Sequence, residues 1–352
     1  MNNYSFFCSK IMIGGNMETL FEKLNEIINE YDNFIVMGHR DPDLDSLGSA
    51  LGLCEIIESF GKTAYLFLDY KHLEEYNSNI NQAFDRIEKK IICVDKRSFK
   101  NIYGKTLLII TDVHTQDRLE YPKLCELFDT IVLDHHIKNK NYIKNTKFLY
   151  IDSNLSSMSE LITYYAEYVN IDLDNVIASI LLAGIEIDTN GFNLKTTSKT
   201  YNAASTLMEM GADSILKQEL LKSTKDEYIK RASYIKSSFM INDNMAMCVI
   251  NKVTESKTLA EVAEEMLNFE DIKATFAIGK ISNDTIGISA RSLGDIDVSA
   301  IMKELGGGGH NSNAATQIKD KTLKEVKQLV IDIVNNKEES NMEFGSNEAK
   351  SH

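Results

Sequence analysis

The sequence predicts an α/β protein: a parallel-sheet domain followed by a smaller α+β domain. Three observations carry this. The chain has 352 residues, too many for one small core. From residue 17 to about 222, apolar strand-like runs alternate with helical patterns, the rhythm of βαβ units. Beyond residue 240 the rhythm gives way to paired strands with few helices.

Each element has its own signal. "METLFEKLNEIINEYD" carries Leu20, Phe21, Leu24, Ile27 and Ile28 at helical spacing. "NFIVMG" is a buried strand, "SLGSALGLCEIIESFG" a helix closed by Gly61, and "KTAYLFLD" a second strand parallel to the first. A helical stretch, "SNINQAFDRIEKK", precedes two more apolar strands, "TLLIITD" and "DTIVLDHH". Three helices close the domain: "MSELITYYAEYV", "DNVIASILLAGIEID" and "SKTYNAASTLMEMGA". The polar helix "KDEYIKRASYIKSSF" reads as a connector over 223–240. In the second domain, 241–337, "MAMCVIN" is a strand and "LAEVAEEMLNF" a helix. "IKATFAIGKI" and "TIGISARS" pair around Asn283-Asp284, and "LKEVKQLVIDIVNN" is the last helix. Residues 1–16 read as a loose extension and 338–352 as a disordered tail.

Composition narrows the function. The net charge of −14 argues against duplex nucleic acid as a partner and against a processive exonuclease. The five cysteines are scattered with no CxxC pair, so no thiolate zinc site is expected. No apolar run reaches the ~20 residues that span a bilayer, and no signal-peptide pattern opens the chain. The expected location is cytoplasmic, with no membrane partner.

The chemistry gathers at the ends of apolar runs. The first strand leads into "HRDPDLDS", with His39, Asp41, Asp43 and Asp45. "LLIIT" ends in Asp112, "TIVL" in Asp134, His135 and His136, and the helix "ASILLAGIEI" in Asp188. An aspartate after a strand is often just a helix cap. Four such segments in a fold that collects strand ends favour a ligand site. Carboxylates and imidazoles without thiolates suit Mn2+, with Mg2+, Fe2+ or Co2+ as alternatives. Crowded carboxylates repel one another, and two divalent ions offset that. Two metals are a common device for phosphoester hydrolysis. Pro42 is expected to fix the turn, and Ser46 to start the helix behind it. In the second domain, "GGGGHNSNAATQ" (Gly306 to Gly309, His310, Ser312, Asn313) and Arg291 form a candidate phosphate- and base-binding wall.

"HRDPDLDS", "TDVH", "LDHH" and "GIEIDT" resemble the four motifs of the DHH phosphoesterase superfamily. "GGGGHNSNAATQ" resembles the glycine-rich motif of the DHH-associated C-terminal domain. The likeness runs from 34 to about 335. "MGHRDPDLDSLGSALGL", "AGIEIDTNGFNLKTTSKTYNAASTLMEMGAD" and "ISARSLGDIDVSAIMKELGGGGHNSNAATQI" are similar to the catalytic module of GdpP-type cyclic-di-AMP phosphodiesterases. The oligoribonuclease and pAp-phosphatase branch usually lacks the "SNAATQ" stretch.

The resemblance implies roles. His39 and Asp43 bind a first Mn2+ with Asp112 bridging; Asp45, Asp112, His135 and Asp188 bind a second. His136 stands near the scissile phosphate or holds the metal shell. Asp134 orients a histidine and His114 supports. Arg291, Gly308, Gly309, His310 and Asn313 contact substrate. Asp41 stands where relatives often have Asn, so it is not a ligand. The implied reaction opens cyclic-di-AMP to linear 5′-pApA. The alternatives are cleavage of pApA, other short oligonucleotides or pAp, and a silent nucleotide sensor. Family members often form homodimers. The transmembrane, PAS and GGDEF segments of the membrane-bound members have no counterpart in this sequence, so their regulation is not carried over.

Overall fold

The computed structural model describes residues 10–13, 15–68, 76, 78–87, 92–309 and 311–348. The chain divides into two compact units, Met1–Lys222 and Ser223–His352.

The first unit runs β1 (Lys10–Ile13), α1 (Met17–Asn29), β2 (Asn33–Met37), α2 (Leu44–Ser59), β3 (Thr63–Phe67), α3 (Ser78–Arg86), β4 (Cys93–Val94) and β5 (Thr106–Thr111). It continues through α4 (Leu124–Leu127), β6 (Asp129–Asp134), β7 (Phe148–Ile151), α5 (Met158–Val169), α6 (Asn175–Asp188), α7 (Ser198–Glu209) and α8 (Ser214–Leu220). All strand pairs are parallel, in the order β1-β7-β6-β5-β2-β3-β4. The chain leaves β2 first toward β3 and β4, then returns to build β5, β6 and β7 on the other side. That reversal opens a crevice at the carboxyl ends of β2 and β5, where ligands bind in open α/β sheets.

The strands are apolar on both sides because both sheet faces are covered. Phe34, Val36, Leu107, Ile109, Ile131 and Leu133 point into the core shared with α1, α2, α5 and α6. Their chain neighbours Ile35, Met37, Leu108, Ile110 and Val132 point to the other face, with Phe99, Leu119 and Leu124. Behind the sheet, α2 and α6 lie close at Gly48 and Gly184. A Cβ on Gly184 would meet Asp45 Cα at 2.8 Å and Leu44 O at 3.0 Å. On α2, a Cβ on Gly48 would meet Leu181 N at 3.2 Å, so small residues on both helices permit the close approach.

The second unit runs α9 (Lys225–Ile235), β8 (Phe239–Met240), β9 (Met245–Val253), α10 (Ser256–Met266), β10 (Ala274–Lys280), β11 (Thr285–Ser292), α11 (Val298–Glu304), β12 (Gly308–Gly309), β13 (Asn313–Lys319) and α12 (Leu323–Glu348). Its mixed sheet has the order β12-β13-β11-β10-β9-β8. The β9–β10 pair is parallel, which requires a crossover, and α10 supplies it. The β10–β11 pair is the hairpin read around Asn283-Asp284. Val326, Val330 and Val334 of α12 cover one face with Met247, Phe276 and Ile288.

Three local expectations are corrected. Lys10–Ile13, placed in a loose extension, pairs with Phe148–Ile151 as an edge strand. "KIMI" is short, but the open edge of β7 gives its backbone groups partners. The last helix runs on to Glu348 through most of the segment read as a disordered tail. Lys337, Glu338 and Glu339 are good helix formers, and no proline interrupts them. The helix after "HRDPD" starts at Leu44, not Ser46, because Asp43 is its cap.

Candidate metal centre

Strand register assembles the site. Met37 pairs with Ile110, so His39 and Asp112 each lie two residues beyond that pair. Thr111 pairs with Leu133, so Asp112 and Asp134 each lie one residue beyond. Three chain segments therefore deliver their polar residues to one level of the sheet edge. Asp188 arrives as the last residue of α6.

The His39 N–H donates to Ser46 Oγ at 3.2 Å. The ring Nδ1 lies 2.8 Å from Arg40 O, which can only accept, so Nδ1 carries a proton. Nε2 then faces Asp43 Oδ2 at 3.6 Å and Asp112 Oδ2 at 3.4 Å. Asp43 uses Oδ1 to cap α2, accepting the Ser46 N–H at 2.9 Å. Its other oxygen is left for the cluster.

Asp45 is buried one step into α2. Its two oxygens accept the Met158 N–H at 2.8 Å and the Ser159 N–H at 2.7 Å. These are first-turn amides of α5, where a helix favours negative charge. His135 Nε2 lies 3.0 Å from Asp188 Oδ2, 3.2 Å from Asp112 Oδ1 and 3.7 Å from Asp45 Oδ2.

Asp112 sits between the two sets. Oδ2 faces His39 and Oδ1 faces His135. Its backbone is left-handed, φ 64°, and its N–H donates to Leu133 O at 2.9 Å. Strain of this kind concentrates at functional sites. Potential ligand atoms fall into three groups, each within 4.8 Å: His39, Asp43, Asp112; Asp45, His135, Asp188; and Asp112, Asp134, His135, His136.

Asp134 belongs to that third group, but its oxygens are taken. Oδ1 accepts the His136 N–H at 3.0 Å and His136 Nδ1–H at 2.8 Å, and Oδ2 accepts His114 Nδ1–H. His114 Nε2 in turn accepts the Asn139 N–H at 2.8 Å. With both ring nitrogens bonded within the protein, His114 braces the loop rather than offering a donor. His136 Nε2 has no hydrogen bond among the described residues, and the side chain is about a third exposed at 34%. Asp41 is exposed, with φ 55°, and joins none of the three groups.

Charge at the cluster is balanced by protons. Burial would lower the His39 pKa, but Asp112 and Asp43 outweigh it and push it up to about 11. His135 is also raised: Asp112 and Asp188 overcome its burial. Burial, with Asp188 and Asp112 nearby, raises the Asp45 carboxyl well above the usual range. Burial also raises Asp188, despite its contact with His135. Burial alone would raise Asp112 and Asp134; their histidine partners instead hold both well below it. Crowding thus favours the protonated forms of His39 and His135 and disfavours the charged forms of Asp45 and Asp188.

The residues fit a divalent cation. Asp112 Oδ1, His135 Nε2 and His135 Nδ1 are buried with no hydrogen-bond partner among the described residues. Buried polar atoms are seldom left so. The donor set of carboxylate oxygens and imidazole nitrogens suits divalent first-row ions and Mg2+.

In the second unit, Arg291 stands opposite Asn313 across β11 and β13. Its Nη1 donates to Ser289 Oγ at 3.1 Å and to Ala290 O at 3.0 Å. Arg291 Nε and Asn313 Oδ1 are both buried without a hydrogen-bond partner among the described residues. Gly308 and Gly309 pair with Ala315 and Ala314. Gly309 has φ 143°, and a Cβ there would meet Asn313 O at 2.4 Å, so only glycine fits. His310 lies outside the described residues.

Motif reading did not find the Ser46 hydroxyl, the Asn139 amide, or the Met158 and Ser159 amides that hold Asp45. One signal was available: Ser157 followed three residues later by Glu160 marks a helix start, and that helix is α5.

The comparisons agree with the architecture. Residues 33–185 match the DHH family, N-terminal domain, and 242–336 match the DHHA1 domain. The chain is 36% identical over 324 residues to the cyclic-di-AMP phosphodiesterase PdeA of Listeria monocytogenes, covering 89% of this chain and 49% of that protein. It is 26% identical over 327 residues to the bifunctional oligoribonuclease and PAP phosphatase NrnA of Mycoplasma genitalium, covering 90% and 97%. The chain thus spans about half the length of the first of these relatives. The crystal structure of an exopolyphosphatase-related protein from Bacteroides fragilis matches with a TM-score of 0.75 at 17% identity, covering 91% of this chain and 96% of that one. That likeness speaks to fold. The chain therefore carries a DHH-family N-terminal domain, residues 33–185, followed by a DHHA1 domain, residues 242–336.

Proposed function

We propose that the chain is a divalent-metal phosphodiesterase that opens cyclic-di-AMP to linear 5′-pApA, with two Mn2+ as its working ions. One observation carries the reading: Asp112 turns one oxygen to His39 and the other to the buried His135. The likeness to PdeA supplies the substrate class.

In this reading His39, Asp43 and Asp112 hold one ion. Asp45, Asp112, His135 and Asp188 hold the other. Two bound ions supply Lewis acidity and lower the pKa of a bound water. The remaining chemistry falls to the chain. Asp134 fixes His136 through Nδ1, so that Nε2 carries the exchangeable proton toward the phosphate or the leaving oxygen. Water adds to phosphorus, the P–O3′ bond breaks, O3′ takes a proton, and the phosphate stays on the 5′ oxygen. Arg291, Asn313, the Gly308-Gly309 turn and His310 are the residues proposed to contact phosphate and base.

The test is one assay: purified protein with Mn2+ and cyclic-di-AMP, cyclic-di-GMP or pApA, products resolved by chromatography. pApA is the expected product, and chelation is expected to abolish its formation. NrnA, matched over 97% of its length, favours a second reading in which short linear oligonucleotides are the substrates. Survival of cyclic-di-AMP while pApA is converted to AMP selects that reading instead.

Metal binding should be pH-dependent with a definite sign. The metal-free fold keeps a proton on His39 up to about pH 11, a stabilisation complete below its unfolded pKa and lost as pH rises through about 11. Mn2+ must displace that proton and the one on His135. Affinity should rise on the order of tenfold per pH unit for each proton displaced. Titration calorimetry in two buffers of different ionisation enthalpy measures the proton release; none would contradict the assignment.

A further inference from the structure

Glu160 lies outside every potential ligand group, yet it is buried, 2% exposed, behind one of them. It sits at the third position of α5, whose cap Ser157 accepts the Glu160 N–H at 3.0 Å. In an ordinary capping box the glutamate would reach back to the Ser157 N–H. Here it does something else. Its Oε2 accepts the hydroxyl of Ser156, the Ser156 N–H at 3.3 Å and the Thr200 hydroxyl at 3.0 Å.

Those donors come from two directions. Ser156 begins the turn that presents the Met158 and Ser159 amides to Asp45. Thr200 belongs to α7, and its Oγ1 also accepts the Thr197 N–H at 3.1 Å, closing the capping box of that helix. The α6–α7 segment, 189–197, starts directly after Asp188. One carboxylate oxygen therefore joins the turn that holds Asp45 to the helix start that ends the Asp188 loop. Ser156, Ser157, Glu160 and Thr200 are all buried, so water cannot take over these bonds.

We propose that Glu160 is a positioning residue for the Asp45–His135–Asp188 half of the metal centre, and not for the His39–Asp43 half. This rests on the two-ion reading above. Partners that orient metal ligands typically change affinity ~10–100-fold when removed. The asymmetry is what separates a positioning role from general support of the core.

The experiment titrates Mn2+ into the full chain, following bound ion by electron paramagnetic resonance and folding by circular dichroism. Wild type is expected to bind two Mn2+ with the spin-coupled signal of a close pair. Glu160→Ala should weaken one of the two ions by ~10–100-fold, leave the other unchanged, and remove the coupled signal at limiting Mn2+. Glu160→Gln, which keeps an acceptor oxygen, should restore most of the affinity. Should Glu160→Ala fail to fold, Thr200→Val removes the α7 link, together with the acceptor for the Thr197 N–H, and should weaken the same ion. Folded variants with both ions unchanged, or with both weakened alike, overturn the proposal. The readout needs no substrate, so a chain that binds two Mn2+ but spares cyclic-di-AMP would refute the activity and leave this inference standing. A wild type that binds no second ion overturns both the two-ion reading and the role of Glu160.

Discussion

Asp112→Asn is expected to lower turnover of cyclic-di-AMP on the order of a thousandfold and to reduce the number of Mn2+ bound. Loss of a single donor from a preorganised catalytic site costs ~10²–10³ in rate, and Asp112 serves both halves of the cluster. The substitution keeps shape and removes charge. Asparagine also tolerates the left-handed backbone at φ 64°, so the fold should survive. Its amide nitrogen would face either His39 or His135, where neither a cation nor a histidine proton finds an acceptor. Steady-state rates with a parallel Mn2+ titration test both effects. Unchanged activity would remove Asp112 from its proposed bridging role.

Gly184→Ala should destabilise the first unit by about 2–3 kcal/mol, near the upper end of typical overpacking costs. The added Cβ would lie 2.5 Å from Ser159 Oγ, 2.8 Å from Asp45 Cα and 3.0 Å from Leu44 O. Two of those three atoms are backbone, so no side-chain rotation relieves the clash. α6 must move away from α2. For a domain of this size, 1 kcal/mol shifts the melting temperature by ~2–4 °C, so a fall of about 4–12 °C is expected. Calorimetry of the metal-free protein measures it. Moving α6 also moves Asp188 away from Asp45 and His135, so Mn2+ affinity should fall with stability. A wild-type melting temperature would show that the helices have slack at this crossing.

Much of the fold was legible because its signals are local. Alternating apolar strands and amphipathic helices mark βαβ units wherever they occur. The abrupt change from "TIVL" to "DHH" marks a strand end by composition alone. What failed was also local. "KIMI" is too short to read as a strand until the edge of β7 is there to pair with it. The tail past 337 is polar, which predicts disorder, yet its residues favour helix and α12 continues through it to Glu348.

The site divides along the same line. "HRDPDLDS" announces a cluster, and its place after a strand puts that cluster at the sheet edge. Spacing alone leaves Asp41, Asp43 and Asp45 as three similar carboxylates. The fold separates them. Asp41 turns out to solvent, Asp43 caps α2 and keeps one oxygen for His39, and Asp45 is drawn inward by amides 113 and 114 residues away. Likewise His114, His135 and His136 read alike in sequence, yet Asp134 binds two of them and leaves His135 to face Asp112 and Asp188. By itself the sequence determined which residue types gather and at which sheet edge, because strand periodicity and strand ends are short-range properties. Only the tertiary structure decided which oxygen or nitrogen of each remains free, because that depends on hydrogen-bond partners supplied by distant parts of the chain.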